Sequence, residues 1–290
     1  MLKSSARQLL ELTTFFKYKI QHMNNIAIIG CGNMGLIYAN SFLRYKITTK
    51  ENLLLVEKNT DRQRNLSAMN IGKVVTVTDT LIAHCNIVIL AVKPQDFKDL
   101  AQDLKKVLNP NCVVLSIMAG TEISFIQTQL NHQFIVRAMP NLPVEISMGM
   151  TAYSASSELS HDNMMLVENL LSTTGRTLYL KEEKQLNAVT ALSGSGPAYF
   201  FYFMKYLVDA GIAMGLDEHV SSILAKQTML GSFHLINNGQ KTLDEYIASV
   251  TSKGGTTEAA LQTFNEHAMG AVIVKALQNA ELRAEELSIK

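Results

Sequence analysis

Short apolar runs alternate with amphipathic segments over the first two thirds of the chain. The apolar runs that predict strands are residues 26–29, 53–56, 74–77, 87–92, 112–117, 134–137, 150–153 and 177–180. Helical spacing of apolar positions separates several of them, as at 97–107, 123–130 and 164–171. Runs rich in Val and Ile without polar alternation are typical of strands buried in a parallel sheet. The repeated strand–helix units therefore predict an α/β fold with a doubly wound, mostly parallel sheet.

From about Glu182 the strand pattern stops, and helical spacing continues to the end of the chain. Ser193 to Gly196 are predicted to form a turn, with Pro197 at the first position of the next helix. That helix and residues 268–277 are apolar on most of their faces, so both must be buried. Burial within one subunit and burial against a second subunit both satisfy this requirement.

Three glycines follow the first predicted strand in the spacing of a dinucleotide-binding fingerprint. Gly30, Gly32 and Gly35 form G-x-G-x-x-G between a strand and a helix, where the helix N-terminus faces a pyrophosphate. Glu57 ends the second predicted strand. In dinucleotide-binding folds, an acid at this position hydrogen-bonds a ribose 2′-hydroxyl. We therefore predict a Rossmann-type dinucleotide-binding domain over residues 23–181 and an all-α domain over 182–290.

Glu57 leaves the choice between NAD and NADP open. Its carboxylate repels a 2′-phosphate and favours NAD. Lys58, Arg62 and Arg64 follow it and would bind that phosphate if the Glu57 side chain turned away. A solvated helix face is the competing explanation for these cations.

The carboxyl ends of the predicted strands are the expected place for ligands, because open α/β sheets bind them there. This rule directs attention to Lys93 and Pro94, to residues 118–120 and to residues 139–141.

Residues 1–22 are basic, with Lys3, Arg7, Lys17 and Lys19 against the single acid Glu11. Their apolar positions are compatible with an amphipathic surface helix or a targeting sequence. We interpret them instead as a disordered extension, or as residues upstream of a true start at Met23, because Met23 directly precedes the first predicted strand.

Composition excludes several classes of partner. The formal net charge of the 290-residue chain is +1, which provides no basic surface for nucleic acid, and its apolar runs are too short to cross a bilayer. Cys31, Cys85 and Cys112 lack the spacing of a metal site, and no H-x-x-x-H occurs. The chain is therefore predicted to be a cytoplasmic protein with reduced thiols and no bound metal.

The stretch VTSKGGTTEAAL, from Val250 to Leu261, places two glycines and two threonines ahead of a helical segment. One interpretation is an ordinary helix cap by Thr256 or Thr257, with Glu258 in the first turn. The other is an anion site, because a glycine-rich helix start presents unpaired N–H groups and a positive dipole end. The local sequence alone favours the cap.

Five motifs together resemble the pyrroline-5-carboxylate reductase family. They are IGCGNMG at 29–35, AVKP at 91–94, RAMPNLP at 137–143, ALSGSGPAY at 191–199 and SKGGTTEAA at 252–260. They occur in the family's order and span nearly the whole chain from Met23. The resemblance implies NAD(P)H-dependent reduction of L-1-pyrroline-5-carboxylate to L-proline, the last step of proline biosynthesis. It also implies a homodimer formed through the helical domain, and in some members larger assemblies of dimers.

The resemblance assigns roles by position in this sequence and replaces the helix-cap interpretation with a carboxylate site. Thr257 corresponds to the catalytic threonine that hydrogen-bonds the ring nitrogen of the cyclic imine. The substrate-binding positions are Ser193, Ser195, Ser252, Gly254, Gly255, Thr256 and Thr257. The cofactor-binding positions are Gly30, Cys31, Gly32, Asn33, Met34, Gly35, Glu57, Lys58, Ala91, Val92, Lys93, Pro94, Met118 and Ala119.

Two other functions share part of this pattern. A hydroxyacid or phosphogluconate-type dehydrogenase also combines a G-x-G-x-x-G sheet with a helical domain, but it relies on a G-x-x-G-x-x-x-K helix whose spacing is absent around Lys205. A nucleotide-binding regulatory protein would need no carboxylate site, which Ser252, Gly254, Gly255 and Thr257 provide.

Overall fold

The structure, a computed structural model, describes residues 25–288 and contains one eight-stranded sheet. Its strands are β1 Ile26–Ile29, β2 Leu53–Val56, β3 Lys73–Val75, β4 Ile87–Leu90, β5 Val113–Ser116, β6 Ile135–Met139, β7 Gly149–Ala155 and β8 Gly175–Tyr179. Their order is β3-β2-β1-β4-β5-β6-β7-β8. The first six strands in this order are parallel to one another. The predicted doubly wound sheet is confirmed. The predictions for residues 1–22 lie outside the described residues.

Each central strand buries both of its faces, which explains its continuous apolar sequence. Ile26 and Ile28 of β1 belong to one hydrophobic core, whereas Ala27 and Ile29 belong to a second core on the opposite face. Successive strand residues point to opposite sides, so helices must cover both. The helices of this part are α1 Asn33–Arg44, α2 Thr60–Met69, α3 Pro94–Val107, α4 Ile123–Leu130, α5 His161–Ser172 and α6 Gln185–Val189.

The last two strands depart from the parallel arrangement. β7 is antiparallel to β6, and β8 runs parallel to β7. The connection from β6 to β7 spans only residues 140–148 and includes the 3-10 helix Leu142–Ile146. A parallel crossover needs a dozen or more residues, so this connection can only reverse the chain.

The predicted turn at Ser193–Gly196 is wrong. Thr190–Gly194 form a π-helical turn that continues α6, and α7, Gly196–Ala213, begins after a single bend at Ser195. Neither Gly194 nor Gly196 has a positive φ. Pro197 lies in the first turn of α7, where its missing N–H costs no hydrogen bond.

The remaining chain is helical, as predicted. Its helices are α7 Gly196–Ala213, α8 Glu218–Asn238, α9 Leu243–Ser249, α10 Thr256–Glu266 and α11 Met269–Glu286. None of the helices within residues 25–288 combines the length and apolar character needed to span a membrane.

The chain divides into two compact units. Unit 1 comprises the residues up to Gly194 together with those from Glu281, and unit 2 comprises Ser195–Ala280. The C-terminal residues contact the sheet unit directly, since a Cβ on Gly120 would lie 3.0 Å from the Leu287 carbonyl oxygen. The predicted boundary at 181/182 separates a dinucleotide-binding domain from an all-α domain by function rather than by compactness. It stays a prediction.

Candidate active site

A cleft of about 610 Å³ opens at the carboxyl ends of β1, β2 and β4, as the sheet rule predicts. Eight of the predicted cofactor-binding residues line it, namely Gly30, Gly32, Asn33, Glu57, Lys58, Ala91, Val92 and Lys93. The other six, which are Cys31, Met34, Gly35, Pro94, Met118 and Ala119, are not among its lining residues.

The glycine turn of the cleft is shaped by close backbone contacts. Gly30 has φ +93°, and a Cβ there would lie 2.8 Å from the carbonyl group of Ala91. A Cβ on Gly35 would overlap the Gly30 carbonyl oxygen, so the start of α1 packs directly on the turn. A Cβ on Gly32 would instead meet no atom of residues 25–288 within 4 Å. Gly30 and Gly35 thus serve the fold, whereas Gly32 leaves open space for a ligand.

Helix α1 begins at this open space without a side-chain cap. Gly32 is its N-cap residue and provides no side-chain cap bond. Helix N-terminal N–H groups and the helix dipole attract anions such as a pyrophosphate. The cleft volume, the uncapped helix and the missing Cβ at Gly32 fit a dinucleotide, whose diphosphate these residues would hold.

Glu57 is held in the cleft wall by the backbone that follows it. The residue is buried, and its Oε1 accepts hydrogen bonds from the N–H groups of Lys58, at 2.9 Å, and Asn59, at 3.0 Å. Turning the carboxylate away would break both bonds. The sequence left this rotation open, and the structure places the Glu57 carboxylate at the cleft.

A row of acids from α3 also lines the cleft. Asp96, Asp99 and Asp103 line it, and Asp96 binds the Lys58 ammonium at 3.0 Å. Sequence reasoning missed these acids, although their i, i+3 and i+7 spacing in a predicted helix places them on one face. Lys58, Arg62 and Lys93 are the cations of the same cleft.

Cys31 lies beneath the cleft. Its Sγ is 3.7 Å from the Ile28 carbonyl oxygen and 3.9 Å from that of Val56. Burial and the nearby Glu57 carboxylate raise the pKa of its thiol to about 12. The thiol is therefore neutral at physiological pH and packs as a small apolar group. Met118 is buried as well, whereas Ala119 is exposed.

The carboxyl end of β6 contacts the π-helical turn. The Asn141 Nδ2 donates a hydrogen bond to the Ser193 Oγ at 3.2 Å, and the Asn141 Oδ1 accepts one from the Met150 N–H at 2.9 Å. Gly194 lies against Met139, whose Cε would be 2.5 Å from a Cβ at Gly194. The predicted substrate residue Ser193 thus lies at the carboxyl end of β6.

An ion pair supports this end of β6. The Arg137 side chain is almost fully buried, and its Nη1 donates to the Glu183 Oε1 at 2.9 Å. The same oxygen accepts a bond from the Ile123 N–H at the start of α4, and the Asn187 Oδ1 accepts one from the Arg137 Nη2. Three elements, β6, α4 and α6, are joined through one guanidinium and one carboxylate.

The glycine-rich loop of unit 2 ends at an uncapped helix. Gly255 is the N-cap residue of α10 and no side chain caps that helix, so the predicted cap by Thr256 or Thr257 is wrong. Both threonines lie inside the first turn, where N–H groups have no acceptor within the helix. Gly254 has φ +73°, a conformation that a residue with a Cβ rarely adopts. This backbone conformation leads the chain into α10 without a capping side chain.

Two of the loop's N–H groups already have acceptors, one in the first turn of α10 and one in the loop itself. The Gly254 N–H donates to the Glu258 Oε2 at 2.6 Å, and the Gly255 N–H donates to the Ser252 carbonyl oxygen at 2.9 Å. The Ser252 Oγ lies so close to Gly255 that a Cβ there would overlap it. Ser195, the remaining predicted substrate residue, forms the N-cap of α7 without a side-chain cap bond.

No group of three or more His, Cys, Asp or Glu side chains that could hold a metal ion is found among the described residues.

The parallel sheet, its glycine turn and the acid after β2 are typical of a dinucleotide-binding domain, which a helical second unit follows here. A curated pyrroline-5-carboxylate reductase from Vibrio alginolyticus is 34% identical over 275 residues, covering 90% of this chain and 97% of the relative. The chain belongs to the pyrroline-5-carboxylate reductase family.

Further comparisons agree with this membership. The family model "Pyrroline-5-carboxylate reductase dimerisation" matches residues 183–287, and the model "NADP oxidoreductase coenzyme F420-dependent" matches residues 25–120. Pyrroline-5-carboxylate reductase 1 of Bacillus subtilis is 32% identical, covering 91% of this chain and 89% of that protein.

Two solved structures share the fold over their full length. A pyrroline-5-carboxylate reductase from Coxiella burnetii is 29% identical, with a TM-score of 0.83 over 93% of this chain and 100% of the other. The Plasmodium falciparum pyrroline carboxylate reductase with NADP bound is 25% identical, with a TM-score of 0.82 over the same shares.

Proposed function

We propose that this chain reduces L-1-pyrroline-5-carboxylate to L-proline with hydride from NAD(P)H, as the last step of proline biosynthesis. The observation that carries the substrate assignment is the uncapped N-terminus of α10, which follows Gly254 and Gly255. Unpaired N–H groups at a helix start bind a carboxylate well. In family members the equivalent loop binds the carboxylate of the cyclic imine.

The loop residues divide into two roles. Ser252, Gly254 and Gly255 shape the loop through their internal hydrogen bonds and the positive φ of Gly254. Thr256 and Thr257 supply the N–H groups that bind the carboxylate. The Thr257 hydroxyl orients the ring nitrogen and passes it a proton, which is the catalytic role of a hydrogen-bond donor. Ser193 and Ser195 complete the substrate-binding set.

The bound nicotinamide supplies the hydride. The chain's own task is to fix the two reactants, because orientation contributes much of the rate of such a transfer. Gly32 and Asn33 receive the diphosphate at the start of α1, and Glu57 accepts hydrogen bonds from the adenosine ribose. Ala91, Val92 and Lys93 form the wall that faces the rest of the dinucleotide.

The position of Glu57 favours NADH over NADPH. One carboxylate oxygen is held by two backbone N–H groups, which keeps the charge where a 2′-phosphate would lie. The cation that follows Glu57 in the chain, Lys58, is already paired with Asp96. Four acids and three cations line the cleft, so its formal charge is negative rather than positive.

The chain forms a homodimer through unit 2 in this proposal, with larger assemblies of dimers as a further step. The match of residues 183–287 to a dimerisation model supports it. Phe200, Phe201 and Tyr202 of α7 are more than half exposed in the single chain, and a second subunit would cover them. The predicted cytoplasmic location rests on the free, buried cysteines.

The reaction is tested by following cofactor oxidation with pyrroline-5-carboxylate, using NADH and NADPH separately. Thr257→Ala should lower kcat/KM about ten- to a hundredfold, which is the scale of one lost polar contact to the reacting group. Thr263→Ala on the same helix is the matched control, because its hydroxyl only donates to the Ala259 carbonyl oxygen. Nucleotide binding without any turnover of the imine would contradict the proposal and favour a regulatory protein.

A further inference from the structure

Asn141 occupies a helix N-cap position without acting as a cap. It precedes the 3-10 helix Leu142–Ile146, yet its side chain accepts no hydrogen bond from that helix. Asparagine is favoured at such positions because its side-chain oxygen satisfies the first N–H groups. Here the amide is directed instead to Met150 and to Ser193.

The two partners fix which way the amide is oriented. The Met150 N–H is a donor only, so the amide oxygen must lie next to it, at 2.9 Å. The amide nitrogen is a donor only, so it must donate to the Ser193 Oγ, at 3.2 Å. The Ser193 hydroxyl is therefore an acceptor in this contact.

This arrangement decides what the Ser193 hydroxyl offers to a ligand. A hydroxyl has a single proton, which cannot point at the donating Asn141 nitrogen. No acceptor for this proton is found among residues 25–288. Ser193 is only half-buried and lies in the π-helical turn against the carboxyl end of β6, so the proton can point toward a ligand at this edge.

We propose that Asn141 is a positioning residue that fixes the Ser193 hydroxyl as a hydrogen-bond donor to a ligand oxygen. The inference rests on the proposed function, since it specifies how Ser193 acts. Two ligand groups supply an oxygen of the required kind, the carboxamide of the nicotinamide and the carboxylate of the imino acid. Both accept one hydrogen bond from a neutral hydroxyl.

The decisive variant is Asn141→Asp. Aspartate keeps the shape of the side chain and still accepts from the Met150 N–H, but it places an acceptor where the amide nitrogen donated. The Ser193 proton must then turn toward Asp and away from the ligand. Ser193→Ala removes the proton altogether. Each change should weaken binding of the contacted ligand about tenfold.

The test is a double-mutant cycle with three measurements. Cofactor Kd is measured by nucleotide fluorescence without substrate, and KM values are measured for the cofactor and for the imine. If Asn141 acts through Ser193, Asn141→Asp adds nothing in the Ser193→Ala background, because residues that share one contact are not additive. A change in cofactor Kd identifies the carboxamide, and a change in imine KM alone identifies the carboxylate.

Several results would overturn the inference. Additive effects of the two substitutions on ligand binding would overturn it. Weaker ligand binding in Ser193→Ala with unchanged binding in Asn141→Asp would overturn it as well. If Asn141→Asp fails to fold, Asn141→Ala takes its place in the same cycle, with the same requirement of non-additivity. Asn187→Asp in α6 is the control for adding a charge near the π-helical turn. Failure of the proposed function is recognised separately, as absence of imine turnover by the unaltered chain.

Discussion

The glycine fingerprint contains residues with different physical tasks, although one sequence pattern describes them all. Gly35 is required by the fold, because a Cβ there would overlap the Gly30 carbonyl oxygen. Gly32 is not required by the packing of residues 25–288, because none of them occupies the space its Cβ would take, and we propose that a ligand approaches there. The spacing in the sequence could identify the motif but could not separate these two tasks.

This difference can be measured with two alanine substitutions. We expect Gly35→Ala to lower the free energy of unfolding by about 1–3 kcal/mol, through strain against the Gly30 backbone. Gly32→Ala should change the free energy of unfolding by no more than about 0.5 kcal/mol. The same substitution should weaken nucleotide binding at least about tenfold. Denaturant unfolding and nucleotide fluorescence provide the two readouts. Equal loss of stability in both variants would contradict the assignment.

At the residue scale, we propose that the Glu57 carboxylate determines the choice between NADH and NADPH. We expect Glu57→Gln to reduce the preference for NADH over NADPH about tenfold, because it removes a charge-assisted bond to the ribose and a repulsion from the 2′-phosphate. The ratio of kcat/KM values for the two cofactors is the measurement. Asp61→Asn is the control, since Asp61 lies in the same region but outside the cleft and pairs with Arg64. A preference that does not change would assign cofactor choice to other residues.

At the scale of elements, the Arg137–Glu183 pair joins β6, α4 and α6. Glu183→Ala would leave a buried guanidinium without its carboxylate and the Ile123 N–H without an acceptor. We expect the free energy of unfolding to fall by about 3 kcal/mol, because removing one partner of a buried ion pair costs far more than the intact pair contributes.

Denaturant unfolding of Glu183→Ala beside Glu182→Ala checks this expectation. Glu182 is the exposed neighbour on the same turn, so its removal should be close to neutral. A loss in Glu183→Ala no larger than in Glu182→Ala would show that the pair is not a structural link.

The elements also show where sequence reasoning succeeds and where it stops. Buried strands such as Ile87–Leu90 were predictable, because burial of both faces requires an apolar run. The reversal of β7 was not predicted from its own residues, since apolar patterning does not encode strand direction. The short connection of residues 140–148 carried that information. The π-helical turn at Thr190–Gly194 was missed because Ser and Gly are equally typical of turns.

The site was predictable only as far as motifs extend. The residues of the glycine turn and Glu57 were found by spacing, whereas the acids of α3 needed the fold to bring them to the cleft. The contact between Asn141 and Ser193 joins positions 52 residues apart, and no local pattern records it.

At the scale of the whole molecule, unit 2 presents a large apolar surface as a single chain. Phe200 is 64% exposed and Phe201 is 61% exposed, which is unusual for aromatic residues clustered on one helix. We expect Phe200→Asp combined with Phe201→Asp to convert the proposed dimer to a monomer, because two buried carboxylates oppose association. Sedimentation or light scattering provides the mass.

Glu218→Lys, at the exposed start of α8, is the control for a changed charge on unit 2. It should leave the mass of the assembly unchanged. A doubly substituted protein that remains a dimer would place the interface elsewhere.

The three cysteines lie in unit 1 and are all buried as free thiols, and unit 2 contains none. Alkylation of the native protein should therefore be slow, and its rate should follow the opening of unit 1 alone. Unfolding of unit 2 by itself would leave the thiols buried and protected from alkylation. The rate of thiol labelling therefore reports on the unfolding of unit 1 alone. Comparing this rate with the loss of helical signal in circular dichroism would show which unit unfolds first.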